Sequence, residues 1–350
     1  MRSRALWILS AAVLPVSLAL ADGGAQHRVK QNPPVQMGTS GGSANDTSGP
    51  FCCGGTLGCL VQRDGVLGIL SNNHVLARSG SGSTGEDILQ PGLIDTNCSG
   101  ANSNIVGDFA GNLVPLGSAN VDAAIATARA NVDTSGSILD IGVPCSSVQA
   151  PTLGLPVMKS GRTTGFTTGS ITSINTTVVI QYKKKCNGGQ SFNVQFTNQL
   201  VTGAMSAGGD SGSVLFSNDG SPNPVGLLFA GSASTTIYNR MQDVVNAFSA
   251  GGHTFSVVGN ACLTTEGDTG PTPSQAELDA ALSVKVENEQ ELFRIPGVLG
   301  VGIGQAEDNP IEAVIVVYVE GPSDRQVARI PLAIDGFRVR VISTDRIVAQ

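Results

Sequence analysis

SAGGDSGSVLF, residues 206–216, places a turn of small residues directly before an apolar run that is typical of a β-strand. Two interpretations are open: Ser211 is a nucleophile in this turn, or the stretch is only a glycine-rich hairpin. Because the chain contains 45 glycines, the turn alone does not decide between them. A serine hydroxyl is a weak nucleophile unless a base removes its proton. The first interpretation therefore requires a histidine, and a carboxylate to orient it, elsewhere in the sequence.

The sequence offers 3 histidines for the role of base. His27 lies in a polar stretch and His253 follows two glycines, whereas His74 ends a predicted strand in LSNNHVLA, where it can face a cleft. Asp122 is the candidate carboxylate, because the small apolar residues around it predict burial, and a buried charge needs a partner. Singly, His74 is also compatible with a tolerated polar residue and Asp122 with a helix N-cap. Together with Ser211 they supply a base, an orienting carboxylate and a nucleophile.

This order, with GGDSGS around Ser211, resembles the chymotrypsin-like serine peptidases. The stretch KSGRTTGFTTGSI, residues 159–171, is similar to a segment of the secreted bacterial streptogrisin and α-lytic type, and the pattern also resembles the narrow-leaf-type peptidases. The resemblance covers roughly residues 52–258. It implies a mainly β fold with two antiparallel six-stranded barrels and a catalytic triad in the cleft between them.

The resemblance also implies a role for individual residues. Ser211 would be the nucleophile, His74 the general base and acid, and Asp122 the orienting carboxylate, with the backbone N–H groups of Gly209 and Ser211 forming the oxyanion hole. The substrate pocket would have Met205 at its base, with a wall that includes Phe229 and Gly231. Because residue 205 is not a carboxylate, we expect a small or apolar residue before the scissile bond; a glutamate-specific pocket remains an alternative.

Two departures from the family pattern lead to further predictions. Animal relatives pair the aspartate before the serine with a new N-terminus beginning Ile-Val-Gly-Gly, which is absent here. Asp210 therefore needs another cation, and Lys159 and Arg162 are the candidates. Relatives also bridge a cysteine at the position of Cys59 to one after the histidine, but Val75 occupies that place. Cys59 is thus the candidate for an unpaired thiol.

Composition narrows the functional class. Residues 1–21 have basic residues, an apolar stretch and a small-residue cleavage pattern, which predicts a signal peptide and a secreted protein with no membrane span after its removal. The net charge of −7 argues against a nucleic-acid partner. The 7 cysteines predict some disulfides and at least one unpaired thiol. No metal site or cofactor is expected, since no CxxC pair occurs, and the sequence leaves the oligomeric state open.

The chain divides into regions of different pattern. Short strands separated by turn signals dominate residues 54–258 and predict an antiparallel sandwich or barrel. The predicted regions are a signal peptide (1–21), a polar N-terminal segment (22–50), a peptidase domain (51–262), a linker (263–273) and a small α+β domain (274–350). In the last region, Ser274 and Glu277 form a capping box, and a short helix is expected at 323–330. The glycines of GVGIG, residues 300–304, indicate close helix packing on a sheet and not a phosphate loop, because no helix follows them.

The function that this pattern favours is a secreted serine endopeptidase that hydrolyses protein or peptide substrates through an acyl-enzyme intermediate. The alternative is a catalytically idle protein of the same fold that binds other proteins. An esterase of the α/β-hydrolase type is disfavoured because its G-x-S-x-G motif does not surround Ser211. The last region is either a packing and anchoring module or a self-inhibiting or folding-assisting segment.

Overall fold

The computed structural model describes residues 23–186, 188–262, 270–321 and 329–350. The predicted signal peptide at 1–21, most of the predicted linker and most of the predicted helix at 323–330 lie outside these ranges. No helix within the described ranges is both long and apolar enough to cross a membrane.

Strands dominate the described chain, which confirms the prediction of a mainly β fold. The strands are β1 (Thr39–Ser43), β2 (Thr47–Ser48), β3 (Phe51–Cys52), β4 (Gly55–Leu57), β5 (Cys59–Arg63), β6 (Val66–Ser71), β7 (Asp87–Gln90), β8 (Asn104–Leu113), β9 (Ala124–Ala128), β10 (Pro156–Gly161), β11 (Gly165–Lys185), β12 (Gly188–Thr202), β13 (Val214–Ser217), β14 (Pro224–Gly231), β15 (Thr236–Arg240), β16 (Phe255–Val257), β17 (Val298–Gln305), β18 (Ala313–Glu320), β19 (Ala333–Ile334), β20 (Phe337–Thr344) and β21 (Val348–Ala349). The helices are α1 (Asn73–Leu76), α2 (Met241–Ser249) and α3 (Gln275–Phe293), with 3-10 turns at Ala25–Arg28, Leu93–Asp95 and Gly100–Asn102.

The first sheet has 8 strands in the order β16-β5-β6-β9-β8-β7-β1-β4. Its pairs are antiparallel, and one face packs on a core to which Leu60, Ile69 and Phe109 contribute fully buried side chains. The sheet begins before the predicted domain boundary at residue 51, because β1 lies between β7 and β4. Val35 and Met37 are also fully buried in this core. The polar N-terminal segment is therefore structurally part of the first sheet.

The second sheet contains a closed ring of strands. β10 pairs with both β13 and β11, and the order β10-β13-β14-β15-β12-β11 makes a six-stranded antiparallel barrel. Strands β11 and β12 form a long hairpin whose tip carries the exposed lysines 183–185. The barrel interior is apolar and includes Leu200, Leu215 and Tyr238.

The predicted α+β region continues the second sheet. Strand β17 pairs antiparallel with both β11 and β18, and β18 pairs parallel with β20. Helix α3 packs on β17 and β18. A Cβ at Gly302 would lie 2.4 Å from Ser173 Oγ and from Thr176 Oγ1. The predicted close packing at this glycine is thus with strand β11 and not with a helix.

The N-terminus of α3 shows half of the predicted capping box. The Ser274 hydroxyl accepts a hydrogen bond from the N–H of Glu277 at 3.2 Å, which satisfies one of the free amides of the first turn. The Glu277 carboxylate instead accepts from the N–H of Ala313 at 2.8 Å. This bond joins the start of α3 to β18.

Three disulfides join distant parts of the described chain: Cys52–Cys98, Cys53–Cys186 and Cys145–Cys262. Cys59 is a buried free thiol, which confirms the prediction for the odd cysteine. Burial raises the pKa of this thiol to about 12.

Candidate active site

His74 lies in α1, the single helical turn that follows strand β6. Asn72, directly before this turn, donates a side-chain hydrogen bond to the backbone oxygen of Asp122 at 2.7 Å. The first residues after β6 are therefore tied to the residues that lead into β9. This link places the imidazole beside the Asp122 carboxylate.

The predicted His74–Asp122 pair is formed. His74 Nδ1 donates to Asp122 Oδ2 at 2.6 Å, and the His74 backbone N–H donates to Oδ1 at 3.3 Å. Asp122 is fully buried, and its own N–H donates to the side chain of Asn239 at 2.9 Å. Asp122 thus precedes a strand and is not the N-cap of a helix.

Tyr182 is a third member of this cluster, and it was not predicted from the sequence. Its hydroxyl donates to Asp122 Oδ2 at 2.8 Å, and its ring meets the His74 ring edge-on at a centroid distance of 5.9 Å. Burial and the Asp122 charge raise the pKa of the phenol well above its ordinary value, so the hydroxyl stays protonated. The alternation of Val178, Ile180 and Tyr182 along the sequence of β11 is the signal that could have predicted an inward-facing tyrosine here.

The environment of His74 favours its charged form. Burial acts to lower its pKa, but the Asp122 charge, the hydrogen bond to Asp122 and a hydrogen bond to Gln350 act in the opposite direction, and the net pKa is raised. Both ring nitrogens face oxygen acceptors, Asp122 on one side and the backbone oxygen of Gln350, 3.1 Å from Nε2, on the other. His74 must lose a proton before it can act as a base.

Ser211 lies at the inner end of the turn and is fully buried. Its hydroxyl donates to the backbone oxygen of Phe229 at 3.2 Å, and the hydrogen bonds among the described residues include none between Ser211 and His74. The N–H of Gln350 donates to the same Phe229 oxygen at 3.3 Å. Gln350 therefore contacts His74 directly and shares a hydrogen-bond acceptor with Ser211.

The backbone of the turn is suited to an oxyanion site. Gly209 has a φ of +99°, and a Cβ there would lie 2.6 Å from Arg162 Nη1 and 2.7 Å from Thr163 Oγ1. Both the conformation and the space require glycine. Within the described ranges, the N–H groups of Gly209 and Ser211 have no hydrogen-bond acceptor. Two free donors close to a buried serine can stabilise negative charge on a reacting oxygen.

Asp210, between these two residues, is fully buried and accepts several hydrogen bonds. The donors are the N–H of Thr163 at 2.7 Å, the N–H of Thr164 at 3.2 Å, the hydroxyl of Thr164 at 2.7 Å and the N–H of Ala207 at 2.9 Å. These bonds join the turn to the segment that links β10 and β11. They hold the backbone on either side of Asp210 in one geometry.

The cation next to Asp210 is Lys159, one of the two predicted candidates. Lys159 Nζ lies 3.5 Å from Asp210 Oδ2, and both side chains are fully buried. Arg162 instead pairs with Asp95 at 2.6 Å. Burial lowers the pKa of Lys159, while the Asp210 charge partly opposes this effect. Lys159 also donates to the Thr164 hydroxyl, which in turn donates to Asp210.

The three predicted pocket residues have different positions. The Met205 side chain is almost fully buried in the barrel interior, where its sulfur accepts from the Tyr238 hydroxyl at 3.8 Å. The Phe229 ring packs in a second core, with only its carbonyl oxygen bonded to Ser211 and Gln350. Gly231 pairs with Val348 of strand β21.

The other two histidines are placed away from Ser211. His27 is fully buried, with Nδ1 2.8 Å from the Gly38 oxygen and Nε2 2.9 Å from Asp140 Oδ2. His253 is paired with Asp64 at 2.7 Å on the surface. Of the three histidines, the structure brings His74 to the predicted site.

A cavity of about 840 Å³ opens beside His74. Its lining includes Asp46, Tyr182 and residues 348–350, and the lysines of the β11–β12 hairpin lie along one wall. Burial raises the pKa of Asp46 to about 6, opposed in part by the charges of Arg78 and His74. Asp46 gave no sequence signal because it lies in the segment expected to be outside the peptidase domain. The cavity has the size of a ligand site.

Solved structures of bacterial serine proteases are similar to this chain. A glutamic-acid-specific serine protease matches with a TM-score of 0.44 and 20% identity, over 64% of this chain and 100% of that one. Protease A of Thermobifida fusca matches with a TM-score of 0.43 and 19% identity, over 65% and 99%. A Nocardiopsis protease matches with a TM-score of 0.40 and 20% identity, over 58% and 92%.

At these scores the similarity assigns no role to any residue. A scan with protein-family models finds no match to the chain, and a search of curated proteins finds none either. The solved structures to which this chain is similar are chymotrypsin-like serine proteases of bacteria.

Proposed function

We propose that the protein is a secreted serine endopeptidase in which Ser211 is the nucleophile, His74 the base and Asp122 the residue that orients His74. The observation that carries this proposal is the buried His74–Asp122 pair, with Nδ1 2.6 Å from the carboxylate, next to a serine in a turn that only glycine can form at residue 209. Such a pair fixes the imidazole so that Nε2 faces the substrate and the serine.

The proposed reaction begins when Ser211 moves its hydroxyl from the Phe229 oxygen to Nε2 of neutral His74. Oγ attacks the carbonyl carbon of the scissile peptide bond while its proton passes to Nε2, and the Asp122 carboxylate stabilises the resulting imidazolium. The N–H groups of Gly209 and Ser211 stabilise the oxyanion. Each strong donor of this kind lowers the free energy of the transition state by about 3–4 kcal/mol.

Collapse of this intermediate breaks the peptide C–N bond. His74 gives its proton to the departing amine, which leaves an ester between Ser211 and the acyl part of the substrate. Water then attacks the ester with His74 again as the base, the acid product leaves, and the Ser211 hydroxyl recovers its proton. No cofactor enters this sequence of steps.

We also propose that Met205, Phe229 and Gly231 form the pocket for the substrate side chain before the scissile bond. The absence of a carboxylate at residue 205 favours a side chain other than Lys or Arg before the scissile bond. Secretion is proposed from the predicted signal peptide, and the three disulfides agree with an oxidising compartment.

A catalytically idle protein-binding role is the second candidate. The observation that favours it is that the Ser211 hydroxyl bonds to Phe229 and not to His74, while Gln350 occupies His74 Nε2. If this arrangement were permanent, the cleft would bind a peptide strand without cleaving it.

Reaction with a fluorophosphonate probe separates the two functions, because such a probe forms a covalent bond only with an activated serine. We expect the full chain to be labelled and Ser211→Ala to be unlabelled. Ser206→Ala is the matched control, since Ser206 lies in the same turn and bonds to Thr236 at 2.9 Å; its labelling should persist. A correctly folded wild type that resists the probe under all conditions would favour the idle role, and labelling of Ser211→Ala would mean that another serine reacts.

A further inference from the structure

Residues 347–350 form an extra strand between β14 and β11. Strand β21 pairs antiparallel with β14, with Ala349 opposite Ala230 and Val348 opposite Gly231, and pairs parallel with β11 at Gln181. The Ile347 oxygen accepts from the N–H of Gln181 at 3.1 Å, and the Ile347 side chain is fully buried. An extended segment that adds to the edge of an existing strand is a general way of binding a peptide.

The register of this strand places Gln350 at the reacting groups. Its N–H donates to the Phe229 oxygen at 3.3 Å, and its backbone oxygen lies 3.1 Å from His74 Nε2. The Ser211 hydroxyl bonds to the same Phe229 oxygen at 3.2 Å. Gln350 therefore contacts the proposed base directly and shares its backbone acceptor with the proposed nucleophile, which is the position expected of the residue before a scissile bond.

The side chain of Gln350 also has a defined position. A Cβ on Gly231 would lie 2.4 Å from Gln350 Nε2 and 3.0 Å from its Cδ, so the amide side chain packs directly on the glycine backbone. Gln350 Oε1 is buried and has no hydrogen-bond partner among the described residues. A larger residue at 231 would leave no room for a side chain of this length in this position.

The part of the chain before this strand is fixed to the protein. The Thr344 hydroxyl lies 2.6 Å from Ser232 Oγ, and Arg346 pairs with Glu320 at 2.7 Å. Strand β20, which ends at Thr344, is itself part of the second sheet. The segment 347–350 is therefore delivered to the cleft by an ordered part of the same chain. For a short tether, the local concentration of such a segment is of the order of millimolar.

We propose that the cleft binds extended peptides in the register of Val348–Gln350, with glutamine before the scissile bond, and that segment 347–350 competes with such peptides in cis. This inference rests on the proposed function, since it takes Ser211 and His74 as the reacting groups. Glutamine at this subsite differs from the small or apolar residue that the sequence led us to expect. The competition also explains why Ser211 and His74 are not hydrogen-bonded to each other in this structure.

Gln350→Pro in the full chain is the variant that tests the competition, because proline has no N–H to donate to the Phe229 oxygen and lacks the amide side chain. Asp345→Asn is the matched control, since Asp345 is exposed and lies outside the strand. We expect Gln350→Pro to raise the rate of fluorophosphonate labelling by about 10-fold or more, because it removes a competitor whose local concentration is millimolar. The value of kcat/KM for a fluorogenic substrate ending in Ile-Val-Ala-Gln should rise by a similar factor. Asp345→Asn should leave both unchanged.

Binding without catalysis is measured with a labelled, blocked peptide of sequence Ile-Val-Ala-Gln and chains that carry Ser211→Ala. We expect the double variant Ser211→Ala/Gln350→Pro to bind this peptide at least about 10-fold more tightly than Ser211→Ala alone does. The double variant should also bind this peptide more tightly than it binds a peptide that ends in lysine.

The two measurements separate failure of the inference from failure of the proposed function. Unchanged labelling of Ser211 in Gln350→Pro, together with no gain in peptide binding, would overturn the competition and leave the peptidase in place. If no chain is labelled, the proposed function fails, and the binding measurement alone decides whether segment 347–350 occupies a peptide cleft. Equal binding of the glutamine and lysine peptides would overturn the assignment of glutamine.

Discussion

Removal of Lys159 tests whether its ammonium group holds Asp210 and the turn at residues 206–213. In Lys159→Met the side chain keeps a similar length but loses its charge, which leaves the fully buried Asp210 carboxylate without the cation 3.5 Å away. Breaking a buried ion pair by removing one partner costs about 3–5 kcal/mol. Asp210 keeps four hydrogen bonds from residues 163, 164 and 207, so we expect a value near the lower end, about 3 kcal/mol.

A double-mutant cycle isolates the contribution of the pair. Asp210→Asn alone should also destabilise, because an amide places a donor where the carboxylate accepted two hydrogen bonds at Oδ2. In Lys159→Met/Asp210→Asn neither buried charge remains. We therefore expect the double variant to lose less stability than the sum of the single variants, by about 2 kcal/mol, which lies within the range observed for residues in contact.

The measurement is the free energy of unfolding from guanidinium titration of the four proteins, compared at equal slopes. Lys285→Met is the matched control, because Lys285 is also a buried lysine but pairs with Glu289, at 2.6 Å, in α3. Its effect should add to that of Asp210→Asn. If the effects of Lys159→Met and Asp210→Asn on the free energy of unfolding also add to within about 0.5 kcal/mol, the idea that Lys159 holds Asp210 is refuted.

Two further predictions concern the site and the free thiol. Tyr182→Phe removes a hydrogen-bond donor from the Asp122 carboxylate, so this carboxylate attracts the His74 imidazolium more strongly. Because the proposed reaction requires neutral His74, whose pKa is already raised, the acidic limb of the kcat/KM profile should move to higher pH. An unchanged limb would contradict this role of Tyr182. Burial raises the pKa of Cys59 to about 12, so Cys59 should not react with a thiol reagent at pH 8 in the native protein. Unfolding without reductant should release one reactive thiol per chain. Reaction in the native state, or release of more than one thiol, would contradict the assigned cysteine pattern.

Several features of the site followed from the sequence because the chemistry restricts the residue types. A serine nucleophile needs a base, and the choice among three histidines was narrow. The burial of Asp122 followed from its small apolar neighbours, and the unpaired state of Cys59 from the missing cysteine at residue 75. The N-cap at Ser274 followed from a local rule that involves residues within one helical turn.

Other features were hidden because they depend on contacts between distant segments. Strand β1, TSGGS, has no apolar signal, yet it is fully buried because its small residues fit between β4 and β7. Tyr182 lies 60 residues from Asp122 along the chain, and the pairing of β11 alone brings its hydroxyl to the carboxylate. The attachment of the α+β region to the second sheet has the same origin, since β17 pairs with a strand far away in sequence.

The sequence by itself determined which groups are available for the proposed chemistry: Ser211 in a glycine turn, His74, Asp122, and two candidate cations for Asp210. Only the tertiary structure decided that Lys159 and not Arg162 lies beside Asp210, because Arg162 reaches Asp95 while Lys159 is enclosed in the barrel. It also decided that Gln350 contacts His74, 276 residues away. Residue type fixes what a side chain can do, whereas the packing of strands decides which groups meet.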